Sequence, residues 1–217
     1  VTALSASAGV SIVLSGQTEG FTLTGSGYAD SLTGGSGADT IAAGVGDDSI
    51  YGFVGADVVD GGNGIDTLFL TATSDDLNVA GASDARLISV DAVSAVNAGA
   101  GVVVSLAGQT EGFSVIGGAY SDALTGGQGA DNINAGAGDD LIYGFVGADT
   151  VNGGDGTDAI ILSATSQELN TAGGTDARLS AIEMVSASGA MAGVTISLTG
   201  QNEGFSIAGG ASADSLV

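Results

Sequence analysis

Residues 34–42 read GGSGADTIA, and this nine-residue pattern fills two long blocks of the chain without a change of phase. From residue 25 to residue 69 the chain reads GSGYADSLT, GGSGADTIA, AGVGDDSIY, GFVGADVVD and GGNGIDTLF. From residue 117 to residue 161 it reads GGAYSDALT, GGQGADNIN, AGAGDDLIY, GFVGADTVN and GGDGTDAII, and a single copy, GGASADSLV, fills 209–217. A short period that returns in tandem indicates stacked structural units, each too small to fold alone.

Two positions of the nonapeptide hardly vary. The eighth residue is Leu, Ile or Val in all eleven copies. The sixth residue is Asp in all eleven, namely Asp30, Asp39, Asp48, Asp57, Asp66, Asp122, Asp131, Asp140, Asp149, Asp158 and Asp214. In a short strand the middle side chain points to one face, so each copy contributes one aliphatic side chain to an interior. The Gly-rich start of each copy indicates tight loops with backbone angles that Gly reaches at low cost.

These nonapeptides resemble the RTX repeat GGxGxDxUx, in which U is a large aliphatic residue. The resemblance covers 99 of the 217 residues. It implies an all-β fold with little or no helix, a right-handed parallel β-roll or β-solenoid with two nonapeptides per turn. It also implies that Ca²⁺ lies between stacked loops, where the sixth-position Asp and loop carbonyl groups bind it. All eleven Asp residues are therefore expected calcium ligands, with several ions in each long repeat.

Alternate nonapeptides of such a roll place their loops on the same side. The expected pairs are Asp30 with Asp48, Asp39 with Asp57, Asp48 with Asp66, Asp122 with Asp140, Asp131 with Asp149, and Asp140 with Asp158. Some copies depart from the motif, with Tyr28, Tyr120 and Ser212 at position four, Ala43 and Ala135 for the first Gly, and Phe53 and Phe145 for the second. We therefore expect the second and fifth copies of each block to bind calcium best, and the first copies least.

The core of one nonapeptide is too small to hold the roll together. Burying a single aliphatic side chain offsets only part of the entropy that is lost when nine residues become ordered. Stacked Asp residues also repel one another at the ~4.8 Å spacing of neighbouring strands. We therefore expect both blocks to be disordered without calcium and to fold when calcium binds, since the sites exist only in the folded state.

The composition points to the same partner. The chain carries 25 acidic residues and two Arg, for a net charge of −23, and it has no Lys, His, Cys, Pro or Trp. This excludes a Ser-His-Asp triad, a thiol nucleophile, disulfides and the usual zinc sites, and it excludes a nucleic-acid surface, which needs several cations. A hard divalent cation with oxygen ligands, such as Ca²⁺, suits this charge. No apolar run approaches the roughly 18 residues of a membrane span, and the N-terminus lacks the basic start of a signal peptide.

A longer period of 92 residues contains the nonapeptide blocks. GQTEGF at 16–21 returns at 108–113 and, as GQNEGF, at 200–205. The long repeats are 9–100, 101–192 and, in part, 193–217. The chain starts and stops inside a repeat, so we expect residues 1–217 to be one continuous solenoid from a longer tandem array. About twelve coils of 18 residues, at ~4.8 Å each, would form a rod of roughly 60 Å.

Outside the blocks, alternating strands at 10–14, 102–106 and 194–198 (VSIVL, VVVSL and VTISL) indicate further coils of the same solenoid. A GQTEG turn follows the first two of them. Its Glu19 or Glu111 either completes a calcium site against Asp39 or Asp131, or belongs to a solvated turn. The extra acidic residues Asp47, Asp60, Asp139 and Asp155 are expected to be solvated.

Two segments break the strand pattern, SDDLNVAGASDAR at 74–86 and SQELNTAGGTDAR at 166–178. Each predicts one short helical turn after a Ser cap; we call the surrounding segments, 70–90 and 162–182, the excursions. Their Arg86 and Arg178 are expected to pair with nearby acids, with Asp84, Asp91, Asp176 and Glu183 as the candidates. A role in binding a ligand is the alternative.

The heptad YGFVGAD occurs at 51–57 and again at 143–149. Its Phe53 or Phe145 stands where the motif has Gly, on a loop whose side chains should point outward, and it lies beside an outward Tyr. Two explanations remain open. Either the excursion folds over the Phe, or the aromatic pair is a lateral contact between neighbouring rods.

Together these features favour a calcium-binding structural repeat of a secreted bacterial surface protein, without catalytic activity: a surface-layer subunit, a fibre or an adhesin extender. The RTX resemblance implies type I secretion and an extracellular location, where sister subunits or a cell-surface ligand would be partners. The alternative is the export and folding module of a secreted enzyme or toxin whose catalytic domain lies outside this segment. A disordered Gly-rich tract is a third possibility, and it predicts no response to calcium.

Overall fold

The computed structural model of the chain describes residues 1–80, 84–172 and 178–217. It is an all-β solenoid of about 11 turns, built from parallel sheets, and about 4% of it is helical. The all-β solenoid expected from the nonapeptide pattern is thus confirmed. Strands alternate along the chain between the two sides of the solenoid, so that odd-numbered strands form one side and even-numbered strands form the other.

The odd-numbered side is a nine-stranded sheet: β1 (Ser11–Val13), β3 (Ser31–Thr33), β5 (Ser49–Tyr51), β7 (Thr67–Phe69), β9 (Ala92–Ser94), β11 (Ser114–Ile116), β13 (Asn132–Ala137), β15 (Thr150–Asp155) and β17 (Leu179–Ser180). A separate pair, β19 (Thr195–Ile196) and β21 (Ser215–Leu216), follows it.

The even-numbered side consists of two sheets. The first contains β2 (Thr22–Thr24), β4 (Thr40–Val45), β6 (Val58–Asn63) and β8 (Leu87–Ile88). The second contains β10 (Val103–Ser105), β12 (Ala123–Thr125), β14 (Leu141–Tyr143), β16 (Ala159–Ile161), β18 (Met184–Ser186) and β20 (Ser206–Ala208).

The pairing register gives each turn of a block two nonapeptides. Leu32 pairs with Ile50, and Ile50 pairs with Leu68, which are steps of 18 residues. These eighth-position residues form the core: in both blocks they are no more than 1% exposed. Leu216 in β21 is the exception, at 44% exposed. One aliphatic side chain per nonapeptide therefore builds the interior, as the motif predicts.

Each excursion contains one short helix, α1 (Asp75–Ala80) or α2 (Gln167–Ala172). The Ser74 hydroxyl oxygen accepts the N–H of Leu77 at 3.0 Å, which confirms the expected Ser cap. Because of the excursion, the step from Leu68 to its partner Val93 takes 25 residues rather than 18. The solenoid consequently has about 11 turns and not the twelve expected. In the described part of the chain, neither helix has the length or apolar character to cross a membrane.

Helix α1 replaces a strand at the edge of β10. Strands β8 and β10 are neighbours on the even-numbered side, yet they belong to different sheets. The N–H of Val103 donates to Thr73 Oγ1 at 2.8 Å, and the N–H of Ser105 donates to Asn78 Oδ1 at 2.8 Å. Asn78 Nδ2 also donates to the Val103 carbonyl oxygen at 3.2 Å. Thr165 and Asn170 contact β19 in the same way.

The long repeat spans an odd number of strands. β10 is the equivalent of β1 in the next repeat and comes nine strands later. β1 therefore lies on the odd-numbered side, whereas β10 lies on the even-numbered side. The same holds for every pair of strands that are 92 residues apart. Equivalent loops of successive repeats consequently lie on opposite edges of the solenoid.

Candidate metal centre

The sixth-position Asp residues form two ladders, one along each edge of a block. In the first, the N–H of Asp30 donates to Oδ1 of Asp48 at 2.7 Å, and the N–H of Asp48 donates to Oδ1 of Asp66 at 2.9 Å. In the second, the N–H of Asp39 donates to Oδ1 of Asp57 at 2.8 Å. The other block repeats both ladders with Asp122, Asp140 and Asp158, and with Asp131 and Asp149. The structure thus brings together the six pairs that the motif predicts.

The second carboxylate oxygen, Oδ2, divides these residues into two groups. In the first, second and fourth copies it accepts an N–H from its own loop, as Asp39 does from Gly35 at 2.6 Å. The other members of this group are Asp30, Asp57, Asp122, Asp131, Asp149 and, in the last copy, the half-buried Asp214. Backbone donors reach both oxygens of these carboxylates and favour their ionised form, although burial still raises the pKa of Asp57 and of Asp149 to about 6.

In the third and fifth copies Oδ2 lacks such a donor. Oδ2 of Asp48, Asp66, Asp140 and Asp158 is buried and makes no hydrogen bond within the ranges that the structure describes. The four residues are no more than 2% exposed. A buried, ionised oxygen without a donor is costly unless a cation or a proton reaches it. These four oxygen atoms therefore mark the candidate metal centre.

The loop backbone explains this difference. Gly44 and Gly46 in the third copy have φ of 117° and 122°, and Gly62 and Gly64 in the fifth copy have φ of 99° and 139°. Gly adopts such angles far more readily than other residues. In this conformation Gly44 pairs with Gly62, and the N–H of Gly46 donates to the Asn63 carbonyl oxygen at 2.8 Å. The N–H groups thus bond between the stacked loops instead of to the carboxylate of their own loop.

The pKa values of these carboxyls are raised. Burial, assisted by neighbouring carboxylates and opposed by a backbone hydrogen bond, raises the pKa of Asp48 and of Asp140 to about 6. Burial also raises the pKa of Asp66 and of Asp158. Near neutral pH Asp48 and Asp140 are therefore mostly ionised in surroundings that disfavour their charge. Binding a cation would relieve this cost.

The donor set fits calcium. Ca²⁺ takes six to eight oxygen ligands, and stacked loops supply both carboxylate and carbonyl oxygens. Among the described residues, no group of three or more acidic side chains is placed to hold a metal ion. An ion between Asp48 and Asp66 must therefore use backbone carbonyl groups for most of its coordination.

Comparison with known protein families supports the same assignment. The RTX calcium-binding nonapeptide repeat matches in four copies, at residues 22–48, 33–68, 114–142 and 125–160. These segments are RTX repeats. The RTX repeats include the four Asp residues whose Oδ2 lacks a donor, so the family and the geometry both point to calcium. No curated protein is significantly similar to the chain in sequence.

The remaining acidic residues considered from the sequence lie on the surface. Glu19 and Glu111 are exposed, and their backbone stacks against Gly37 and Gly129 of the neighbouring loop. This arrangement favours a solvated turn over a calcium ligand. The extra acids are also exposed, as expected: Asp47, Asp60, Asp139 and Asp155.

Arg86 does not make the ion pairs expected from the sequence. Its Nε donates to the carbonyl oxygen of Asp57 at 2.7 Å, and its guanidinium lies over the Phe53 ring, 5.4 Å from the centroid. Arg178 contacts Asp149 and Phe145 in the same way. The predicted pairs with Asp84, Asp91 and Glu183 are wrong, because the excursion folds back over the fourth loop and carries the Arg there. Asp176 lies outside the described residues.

The excursion covers Phe53, which confirms the first of the two explanations. Phe53 is 2% exposed, and the Ser74 hydroxyl donates to its carbonyl oxygen at 2.6 Å. Tyr51 stacks instead on Phe69, with ring centroids 5.1 Å apart. A ring as buried as Phe53 is not available for a lateral contact between rods.

The first ladder of each block has a further member that the nonapeptide pattern does not predict. The N–H of Asp66 donates to Asp91 Oδ2 at 2.8 Å, and the N–H of Asp158 donates to Glu183 Oε2 at 2.7 Å. Each of these acids is followed two positions later by a buried Val. This acid-x-aliphatic spacing equals positions six to eight of the nonapeptide. It is the sequence feature from which both ladder members could have been predicted.

Proposed function

We propose that the chain is a calcium-dependent structural repeat of a secreted bacterial surface protein, such as a surface-layer subunit, a fibre or an adhesin extender. The proposal rests on the four buried Oδ2 atoms that lack a donor in the described structure and that belong to stacked RTX loops. Near-identical units on a 92-residue period favour length and rigidity over chemistry. The chain also lacks His and Cys, and we assign it no catalytic activity.

Asp48 and Asp66 would hold one ion between the third and fifth loops, and Asp140 and Asp158 would hold its equivalent in the next repeat. When bound, calcium supplies the positive charge that these stacked carboxylates need. The Gly residues of the loops keep side chains out of the space between them. The other seven Asp residues of the column remain proposed ligands of lower rank, since backbone donors already reach both of their oxygens.

Calcium binding would drive folding. The stacked carboxylates exist only in the folded roll, so binding free energy becomes folding free energy. Extracellular calcium modules bind with dissociation constants of about 10⁻⁴ to 10⁻³ M. Such a chain stays unfolded in a low-calcium cytosol and folds outside the cell, where sister subunits or a cell-surface ligand would then meet a rigid rod.

A calcium titration followed by circular dichroism tests this proposal. We expect a disordered spectrum in chelator near neutral pH and a β spectrum at millimolar calcium. A fourfold variant should change its spectrum only at roughly tenfold higher calcium or not at all, because it removes the charge that binds the ion. Its substitutions are Asp48→Asn, Asp66→Asn, Asp140→Asn and Asp158→Asn.

The matched control removes the same charge from exposed acids, with Asp47→Asn, Asp60→Asn, Asp139→Asn and Asp155→Asn. It should require the same calcium concentration as the wild type or less, since it only weakens surface repulsion. A full β spectrum of the wild type in chelator, or equal midpoints for the two fourfold variants, would contradict the proposal.

A further inference from the structure

The first ladder continues beyond the nonapeptide block. Asp91 lies in the turn before β9, 25 residues after Asp66, and it accepts the Asp66 N–H as a sixth-position Asp would. Glu183 occupies the equivalent place after Asp158 in the second repeat. Residues outside the motif thus supply the next carboxylate of each ladder.

Gly61 packs closely against this junction. A Cβ built on Gly61 would lie 2.1 Å from the carbonyl oxygen of Ser89 and 2.6 Å from Asp66 Oδ2. The two oxygen atoms are therefore at most 4.7 Å apart, the sum of these distances, and a side chain at this position would clash with both. Gly153 has the same surroundings, formed by the Ala181 carbonyl oxygen and Asp158 Oδ2.

The state of Oδ2 distinguishes this junction from similar ones. Beside Gly25 the corresponding oxygen is Asp30 Oδ2, and beside Gly34 it is Asp39 Oδ2. Both of those oxygens accept a hydrogen bond from their own loop. Asp66 Oδ2, by contrast, is fully buried and has no donor in the described part of the chain.

The turn at 88–91 has an unusual backbone conformation, and its acidic side chain is accessible from solvent. Ser89 has φ of 49°, and its equivalent Ala181 also has φ of 49°, an angle that non-Gly residues rarely adopt. The Asp91 side chain is exposed and that of Glu183 is half-buried. An ion from solvent can therefore reach these carboxylates.

We propose a calcium site at the end of the nonapeptide block, formed by Asp66 Oδ2 together with the Ser89 carbonyl oxygen and the Asp91 carboxylate, which lie outside the motif. Asp158, Ala181 and Glu183 form its equivalent in the second repeat. The site rests on the proposed calcium function, since Asp66 also belongs to the inter-loop centre. An ion at this site links the last RTX loop to the next coil, which lacks the motif. Calcium binding therefore also stabilises the part of the repeat outside the nonapeptide block.

Counting bound calcium tests this site. The variant carries Asp91→Asn and Glu183→Gln, which remove charge but keep an oxygen that can accept the ladder N–H. At saturating calcium, equilibrium dialysis should find two fewer ions per chain than in the wild type. The control carries Asp60→Asn and Asp155→Asn on exposed acids and should lose none. An unchanged count in the first variant overturns the site, whereas a wild type that binds no calcium overturns the proposed function itself.

Two further measurements cover the case in which the double variant does not fold. Asp91→Glu copies the residue of the second repeat and should keep the wild-type count. A crystal structure of the wild-type chain grown with calcium should show an ion about 2.3–2.6 Å from the Ser89 carbonyl oxygen. Water or a hydrogen-bond donor at that point overturns the inference.

Discussion

At the scale of single residues, one oxygen of each sixth-position Asp fixes the side chain and the other decides its role. Oδ1 accepts an N–H from the preceding turn in every ladder step between two sixth-position Asp residues. Oδ2 of Asp39 accepts an N–H from its own loop, whereas Oδ2 of Asp48 has no donor in the described structure. The difference lies in the backbone, where the Gly46 N–H donates to the Asn63 carbonyl oxygen of the neighbouring loop.

The raised pKa values predict that acid promotes folding of the calcium-free chain. Burial raises the pKa of Asp48 and Asp140 to about 6, whereas an unfolded Asp titrates near ~3.9. The folded state therefore takes up protons that the unfolded state does not. This contribution to stability is complete below the unfolded pKa and is lost as the pH rises through about 6. In calcium-free buffer, circular dichroism should show more β structure at about pH 5 than at about pH 7.

The same protons compete with calcium. We therefore expect calcium to bind more weakly at about pH 5 than at about pH 7. Isothermal titration calorimetry at the two pH values measures the difference in affinity. Loss of β structure on mild acidification without calcium would show that these carboxyls are not the groups that control folding.

The Arg86 guanidinium places a positive charge beside the second ladder. It donates a hydrogen bond to the Asp57 carbonyl oxygen and lies over the Phe53 ring. Arg86→Met should lower the free energy of unfolding by about 2 to 3 kcal/mol, because a hydrogen bond from a charged donor and a cation–π contact are both lost. Thermal unfolding at saturating calcium measures the change. Arg86→Lys keeps the charge but not the planar group, so it should recover only part of the stability; full recovery would assign the effect to charge alone.

At the scale of elements, α1 and the residues just before it take the place of a strand beside β10. Thr73 and Asn78 bond to the edge of β10 that β8 does not pair with. Asn78→Ala removes two side-chain hydrogen bonds to β10 and should cost about 1 to 3 kcal/mol, measured by denaturant unfolding with calcium present. Asn97→Ala, at an exposed position, is the control and should cost close to nothing. Equal losses in the two variants would mean that the cap on β10 is not needed.

The elements differ in how far the sequence predicts them. The block strands follow from one buried aliphatic residue per nonapeptide, and the Ser74 cap follows from its position before a helix-forming run. The positions of Arg86 and Asp91 did not follow, because they depend on how the excursion folds back onto coils that lie far away in the sequence. The second copy was expected to bind calcium well, yet its Gly35 N–H already occupies Asp39 Oδ2; the motif letters do not reveal this difference in loop backbone.

At the scale of the whole molecule, the odd number of strands per repeat places equivalent loops on opposite edges. Spin labels test this, since the chain has no Cys of its own. The first pair of labels, Asn63→Cys and Asp155→Cys, lies in equivalent loops on opposite edges, about 4.5 coils apart. The second pair, Asn63→Cys and Val146→Cys, lies in two loops on the same edge, about 4 coils apart. The axial separations differ by only ~2 Å. Electron–electron distance measurements should nevertheless give a clearly longer distance for the first pair, because it also crosses the solenoid; equal distances would refute the alternation.

Because strands alternate between the two sides, an odd or even number of strands in a segment decides on which side all later strands lie. Deleting residues 34–42, one nonapeptide, would move every later strand to the other side and exchange the two edges for the remainder of the chain. Deleting residues 34–51, two nonapeptides, would shorten the rod by one turn and leave each later loop on its original edge. In a long array, a partner that travels along one edge meets a given surface feature only at every second repeat.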